Sequence, residues 1–296
     1  MKTLESYTLG FIGLGLMGRP MCLNLHRAGA RMIVHNRTPG VAQKLAGPDI
    51  EAAATPADVA RQADIVLLMV SDTPAVEQVL FGDKGVEEGL GQNALVIDMG
   101  TTAVGPTREF ARRLATTGAE YIDAPVSGGE IGAIDGTLTI MAGGRPEAIE
   151  RARLVFDVLG SSLTHVGDVG AGQVAKAANQ VIVGLNIGAV AEALALVTSA
   201  GVDPARVREA LMGGFAASRI LEVHGQRMID GQFTPGGKIT TQYKDLRQAL
   251  ELGEMYDQDL PATRLNMQLY KTLIDSGEGS LDHSALIKAL RAEPIC

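Results

Sequence analysis

Residues 8–28 read TLGFIGLGLMGRPMCLNLHRA, and their order is strand, glycine turn, helix. Thr8–Ile12 is a short apolar run, Gly13-Leu14-Gly15-Leu16-Met17-Gly18 is a GxGxxG turn, and Met17–Ala28 has an amphipathic pattern. In such a turn the first glycine makes the tight bend and the second lets backbone approach a pyrophosphate. The third allows the helix to pack closely on the strand. The helix N-terminus then offers unpaired N–H groups and the positive end of its dipole to the phosphates. A glycine-rich turn with no ligand is the plainer alternative. The strand before it and the helix after it favour dinucleotide binding.

Working outward, the same alternation continues. Apolar runs at Arg31–Val34, Ile65–Val70, Leu95–Met99, Glu120–Ala124, Leu138–Ala142 and Leu163–Val166 are separated by helical patterns at Pro56–Ala63, Pro74–Phe81, Pro106–Thr116 and Pro146–Leu159. Proline opens several of these, as suits a first helical turn. Alternation of this kind predicts an α/β domain with a parallel, doubly wound sheet of the Rossmann type over residues 1–167. After Gly167 the strand patterns stop. Residues 168–296 read as an all-α domain with helices at 170–200, 204–212, 217–229, 240–257, 261–276 and 283–291. The first would be ~45 Å long, an interdomain spine whose apolar residues cover all sides and ask for burial by neighbours or a second subunit. Gly184 and Gly188, four apart, would permit close helix contact.

Composition narrows the function. A net charge of −8 and no basic cluster argue against a nucleic-acid surface. Cys22 and Cys296 form neither a CxxC nor a zinc pattern, and Cys22 lies in a helical pattern. A structural disulfide is therefore not expected, and a reducing cytoplasm fits. The N-terminus MKTLESYTLG lacks an apolar signal core. The greasiest window, Ala177–Ala191, is interrupted by Asn179, Gln180 and Asn186 and is too short to span a bilayer.

Four places carry chemistry. The second strand ends Val34-His35-Asn36-Arg37-Thr38, with no carboxylate to hold a ribose 2′-hydroxyl. Arg37 can pair with a 2′-phosphate and Asn36 and Thr38 can hydrogen-bond it, so NADP is preferred and NAD remains possible. Asp123-Ala124-Pro125-Val126-Ser127-Gly128-Gly129 ends in small residues whose N–H groups can form a nest for a carboxylate, although an ordinary loop reads equally well. Lys176 is one of two charges between Gln173 and Ser199, and Asn179 follows on the same helical face. Burying an ammonium is costly, and near a bound carbonyl a lysine can deliver the proton as hydride arrives. Burial and a second cation would both lower its pKa. The rival is a lysine snorkelling from a helix end. Lys244 in Gln242-Tyr243-Lys244-Asp245-Leu246 reads alone as a surface lysine paired with an acid. Asp282-His283-Ser284 reads as a helix cap rather than a triad. The five histidines show no metal-ligand spacing, so no metal is expected.

In order along the chain, GFIGLGLMGRPM (10–21), DAPVSGG (123–129), GAGQVAKAANQ (170–180) and KDL (244–246) resemble the β-hydroxyacid dehydrogenase family. That group contains 3-hydroxyisobutyrate dehydrogenase and tartronate semialdehyde reductase. SGGEIGAIDGTL (127–138), NQVIVGLNI (179–187) and LDHSAL (281–286) are most similar to the members that reduce tartronate semialdehyde. The resemblance implies that Lys176 is the catalytic acid, that Asn179 orients the substrate and that Ser127, Gly128 and Gly129 bind its carboxylate. Lys244 would reach the nicotinamide and substrate. Thr101, Met69 and Val70 would line the cofactor, and the chain would be a homodimer or homotetramer. The chain departs from many members at Ser71, where they carry proline. Its Asn36-Arg37-Thr38 is similar to the glyoxylate and succinic semialdehyde reductases. The expected activity is NADPH-dependent reduction of a small semialdehyde to a hydroxyacid. Alternatives are 3-hydroxyisobutyrate oxidation, glyoxylate or succinic semialdehyde reduction and, in another class, a non-catalytic NADP-binding module. Imine reductases and such modules are expected to lack the lysine. A 6-phosphogluconate dehydrogenase should show a longer helical domain and a basic phosphate site.

Overall fold

The computed structural model describes residues 3–38 and 40–290; Cys296 and the end of the expected 283–291 helix lie outside them. The chain divides into two compact units, Met1–Lys176 and Ala177–Cys296, and the boundary falls inside a helix. The first unit begins β1 (Thr8–Ile12), α1 (Gly18–Arg27), β2 (Arg31–His35), α2 (Val41–Leu45), β3 (Ile50–Ala52), α3 (Pro56–Ala60), β4 (Ile65–Leu68) and α4 (Thr73–Phe81). It continues with β5 (Leu95–Asp98), α5 (Val104–Ala115), β6 (Glu120–Asp123), β7 (Val126–Ser127), α6 (Gly129–Asp135), β8 (Leu138–Gly143), α7 (Pro146–Arg151), α8 (Arg153–Leu159) and β9 (Gly160–Gly167). Helix α9 (Ala171–Ser199) then leads to α10 (Pro204–Met212), α11 (Arg219–Asp230), α12 (Ile239–Met255), α13 (Pro261–Asp275) and a 3-10 helix at His283–Ala289.

The described strands form one nine-stranded sheet in the order β3-β2-β1-β4-β5-β6-β8-β7, with β9 paired to β8. From β3 to β6 every pairing is parallel. Strand order reverses between β1 and β4, and in open α/β sheets the crevice beyond the strand ends at that point takes the ligand. Parallel strands need cover on both faces, and β4 shows why these residues comply. Ile65 and Leu67 enter a core with Phe11, Met32, Ile97 and Ile122. Their neighbours Val66 and Leu68 enter the opposite core with Ile33, Val76, Val96 and Phe110. Helix starts are set locally: Thr55 and Asp58 form a capping box on α3, and the Asp72 carboxylate accepts from Ala75 N–H at the head of α4.

The expected doubly wound sheet is present and dominated by parallel pairings, and the fold shows three local differences from expectation. The sheet is not wholly parallel, because β8 runs antiparallel to both β6 and β7. Pro125 has no N–H to extend the ladder beyond β6, and its carbonyl instead accepts from Met141 of the returning strand. The helix expected over 146–159 breaks at Ala152, whose ψ of −3° lies outside the helical range, into α7 and α8. The last helix is 3-10 rather than α.

In the second unit the core gathers Ile187, Ala191 and Leu194 of α9 with Met228, Leu246, Tyr270 and Leu286. Gly184 and Gly188 do seat close contacts. A Cβ on Gly184 would lie 2.9 Å from Leu246 Cδ2, and one on Gly188 2.2 Å from Asn266 Nδ2. Helix α9 itself, at 29 residues with a window of mean hydropathy 2.0, is long and apolar enough to cross a membrane by length and composition. The helix runs unbroken through Asn179, Gln180 and Asn186, so its apolar stretch is longer than the window read from sequence.

Candidate active site

The crevice is framed by loops that follow β1, β2, β4 and β5. Gly13 has φ +100°, and a Cβ there would lie 2.3 Å from Met69 O. A Cβ at Gly18 would lie 1.9 Å from Gly13 O. Those two glycines let the turn close against the end of β4. At Gly15, among the described residues, a Cβ would meet nothing within 4 Å. That open approach is what a pyrophosphate needs, and among the described residues no side chain caps the N-terminus of α1 behind it. The cradle therefore fits a dinucleotide. Leu14, Leu16 and Met17 complete the turn. Leu14 N–H donates to Asn36 Oδ1 at 2.9 Å, so Asn36 latches the turn to the end of β2. Its amide group reaches Thr38 O at 3.4 Å. Arg37 and Thr38 are exposed, and Met69 and Val70 are half-buried beyond β4.

Thr101 is half-buried in a turn held from two sides. Asp98 accepts from Gly100 N–H at 2.9 Å and from Thr102 Oγ1 at 2.6 Å. On the other side Gln173 pairs with the backbone of Gly100 and Thr102. Tyr121 donates its hydroxyl to Asp98 at 3.2 Å, and burial together with that carboxylate pushes the phenol well above its ordinary pKa.

Beyond β6 the chain passes through Ser127-Gly128-Gly129. Gly128 (φ +136°) and Gly129 (φ +62°) sit consecutively in conformations that side chains rarely adopt, at the start of α6. Both are exposed beside half-buried Ser127. Lys176, 8% exposed, donates from Nζ to Val126 O at 2.9 Å. The ammonium is thus buried and bonded to the residue preceding Ser127, rather than extended to solvent. Asp123, fully buried, accepts from Gly170 N–H at 2.7 Å and Gln173 N–H at 2.8 Å. Burial pushes its carboxyl up to about 7 against the pull of those two N–H groups.

In the second unit, Asn179 Nδ2 donates to Gln180 Oε1 at 2.7 Å, and Gln180 Nε2 to Asp245 Oδ2 at 2.5 Å. Lys244 Nζ lies 3.1 Å from Asp245 Oδ1. Two residues drawn from separate motifs are therefore joined through Gln180 and Asp245, which are 8% and 3% exposed. Lys244 is paired with an acid, as a surface lysine would be, but the acid is buried. Gln173, Gln180, Asp123 and Asp245 were not singled out from sequence. One signal was available: Gln173, Lys176 and Gln180 are spaced i, i+3, i+7, a buried polar stripe on an otherwise apolar helix.

His224, Asp282 and His283 come within 4.8 Å of one another, a grouping that sequence spacing did not reveal. Asp282 caps the 3-10 helix through Ser284, as expected. It also accepts from Gly236 N–H at 2.9 Å and Gly237 N–H at 3.2 Å and pairs with Arg227 at 2.8 Å. Both its oxygens are occupied by protein donors, so the cluster reads as a staple between α11 and the last helix rather than a metal site. Burial alone would raise this carboxyl; His224, the charge of His283, Ser284 and Gly236 outweigh it and hold it well below the usual range.

Known proteins match this chain along most of its length. The family model for the NAD-binding domain of 6-phosphogluconate dehydrogenase matches residues 8–167. The model described as NAD-binding of NADP-dependent 3-hydroxyisobutyrate dehydrogenase matches residues 170–290. The chain is 49% identical to 2-hydroxy-3-oxopropionate reductase of Escherichia coli over 95% of its own length and 96% of that protein's. It is 30% identical to the chloroplastic glyoxylate/succinic semialdehyde reductase 2 of Arabidopsis thaliana, over 98% of this chain and 81% of that one. Among solved structures it is similar to the 3-hydroxyisobutyrate dehydrogenase of Mycobacterium tuberculosis with L-serine, with a TM-score of 0.88 at 28% identity, covering 97% of this chain and 99% of that one.

Proposed function

The chain belongs to the β-hydroxyacid dehydrogenase family, the 3-hydroxyisobutyrate dehydrogenase-like enzymes, and from that premise we propose that it reduces 2-hydroxy-3-oxopropionate (tartronate semialdehyde) to glycerate with NADPH. It binds a nicotinamide dinucleotide and acts on the CH–OH group of a small hydroxyacid. The observation that carries the finer reading is the Lys176 ammonium, held 2.9 Å from Val126 O at the head of the Ser127-Gly128-Gly129 nest. A carboxylate seated on that nest sets its aldehyde near a proton donor. The bound nicotinamide supplies the hydride. Lys176 stabilises the oxygen as negative charge develops and then gives it the proton. Ser127 and the glycine N–H groups hold the carboxylate, so aldehydes lacking one should react poorly.

By family resemblance Asn179 orients the substrate and Lys244 contacts substrate and nicotinamide; Gln180 and Asp245 support their side chains. NADPH is favoured because β2 ends in Asn36-Arg37-Thr38 without a carboxylate, and exposed Arg37 can pair with the 2′-phosphate. On α9, Ile182, Ala189 and Leu196 are exposed at seven-residue spacing, one apolar stripe along the helix, with Ile182 at 62% and Leu196 at 71%. This supports a homo-oligomer in which a second copy covers that face.

The test is steady-state kinetics on a panel of semialdehydes with NADPH and NADH. Lys176→Ala should lose about 10²–10⁴-fold in kcat while NADPH still binds by fluorescence titration. Near-normal turnover in that variant would overturn the mechanism, and a preference for glyoxylate or succinic semialdehyde would overturn the substrate. Arg37→Glu should raise KM for NADPH and leave KM for NADH little changed.

A further inference from the structure

Gln173 lies in the first turn of α9, three positions before Lys176, and is 2% exposed. A carboxamide buried this deeply is costly unless both ends are matched. Oε1 accepts from Thr102 N–H at 3.0 Å and Nε2 donates to Gly100 O at 3.0 Å. The side chain thus pairs with the backbone on either side of Thr101, as a neighbouring strand would. Its orientation follows from the partners, since a backbone N–H only donates and a carbonyl only accepts. The backbone N–H of Gln173 is spent separately, on Asp123 Oδ2 at 2.8 Å. A Cβ on Gly172 would lie 2.5 Å from Asp123 O, and one on Gly143 2.7 Å from Asp123 Oδ1. The head of α9 is therefore seated against the ends of β6 and β8 with no slack.

We propose that Gln173 is a positioning residue that fixes the proton donor Lys176 relative to the cofactor-side turn at Thr101. The proposal rests on the reading of Lys176 and Thr101 given above. The two ends of the link are both on α9: the amide grips the 100–102 turn, and one helical turn later the ammonium grips Val126 O. No other side-chain length at position 173 spans the same gap with one donor and one acceptor. Asparagine is too short, leucine has neither group, and an ionised glutamate sets an acceptor in place of Nε2 against Gly100 O.

The experiment is kinetics of Gln173→Leu, Gln173→Glu and Lys176→Ala with NADPH and 2-hydroxy-3-oxopropionate across acid to alkaline pH. Thermal unfolding would establish that each variant is folded. Gln173→Leu should lose roughly 10–100-fold in kcat, the effect of a displacement of about 1 Å among reacting groups. KM for NADPH should change less than kcat, because the Gly13–Gly18 turn is untouched and only the Thr101 side of the cofactor site loosens. Gln173→Glu should recover as pH falls, because the protonated carboxyl can donate to Gly100 O while its other oxygen accepts from Thr102 N–H. A role in packing alone would not give that pH signature. A folded Gln173→Leu variant with parental kcat and pH profile would overturn the proposal. So would a Gln173→Glu variant whose activity relative to the parent is flat with pH, and that profile decides alone if the leucine variant does not fold. Retained turnover in Lys176→Ala would instead remove the donor assignment. An inactive Lys176→Ala beside an unaffected Gln173→Leu removes only the positioning role.

Discussion

Asp123 and Asp282 are both fully buried carboxylates, yet they push stability in opposite directions with pH. Asp282 is held below its ordinary range by His224, His283, Ser284 and Gly236 acting against burial. Its contribution is therefore present above the unfolded pKa of about 3.9 and is lost as pH falls through the lower folded value. Asp282→Asn leaves Arg227 and several N–H donors short of a partner and should cost about 2–4 kcal/mol in urea unfolding. That figure is moderated because Arg227 keeps access to water. Asp123 is raised to about 7 by burial, so between its unfolded and folded pKa the native state binds a proton that the unfolded chain has released. Its contribution is full in acid and is lost as pH rises through about 7. The stability difference between the parent and Asp123→Asn should therefore favour the parent more in mild acid than in mild alkali, as measured by urea titration at both. Asp282 could be read from sequence as a cap because its partner is two residues away. Asp123 could not, because its N–H donors lie 47 and 50 residues further on.

Among the elements, the glycine turn is the most exacting. Gly18→Ala places a methyl 1.9 Å from Gly13 O, a backbone atom that cannot swing away. The variant should lose at least about tenfold in dinucleotide affinity and about 1–3 kcal/mol of stability, read by fluorescence titration and thermal unfolding. That turn was legible because each glycine has its own steric reason within a few residues. The buried strands were legible too, since β1, β4 and β5 are mostly apolar runs, TLGFI, IVLL and LVID. Short elements were not: β3 and β7 have three and two residues, too few for any periodicity to show. The direction of β8 was also hidden, because an apolar run looks the same parallel or antiparallel. It shows in pairings across the fold, Asp123 opposite Gly143, Val126 opposite Ile140 and the Pro125 carbonyl accepting from Met141.

For the whole molecule, the change from strand-and-helix to helix alone near Gly167 was visible in pattern, and so was the long helix after it. Which of its faces would be covered was not, because burial on α9 depends on partners far along the chain. The stripe of Ile182, Ala189 and Leu196 is left exposed. Ile182→Glu with Leu196→Glu should shift sedimentation toward the monomer without changing far-UV ellipticity. A different consequence follows from the hydrogen bonds at the head of α9. Those between Gln173 and the backbone of Thr102 and Gly100 span 71 and 73 residues, and those between Gln173 N–H and Asp123 and between Lys176 and Val126 O span 50 each. Closing such loops loses more chain entropy than closing local ones, and folds built on distant pairings form slowly. The sheet has to exist before the head of α9 has anything to bind. On dilution from denaturant, ellipticity should therefore return first and turnover afterwards, with the proposed proton donor among the last groups to reach its place.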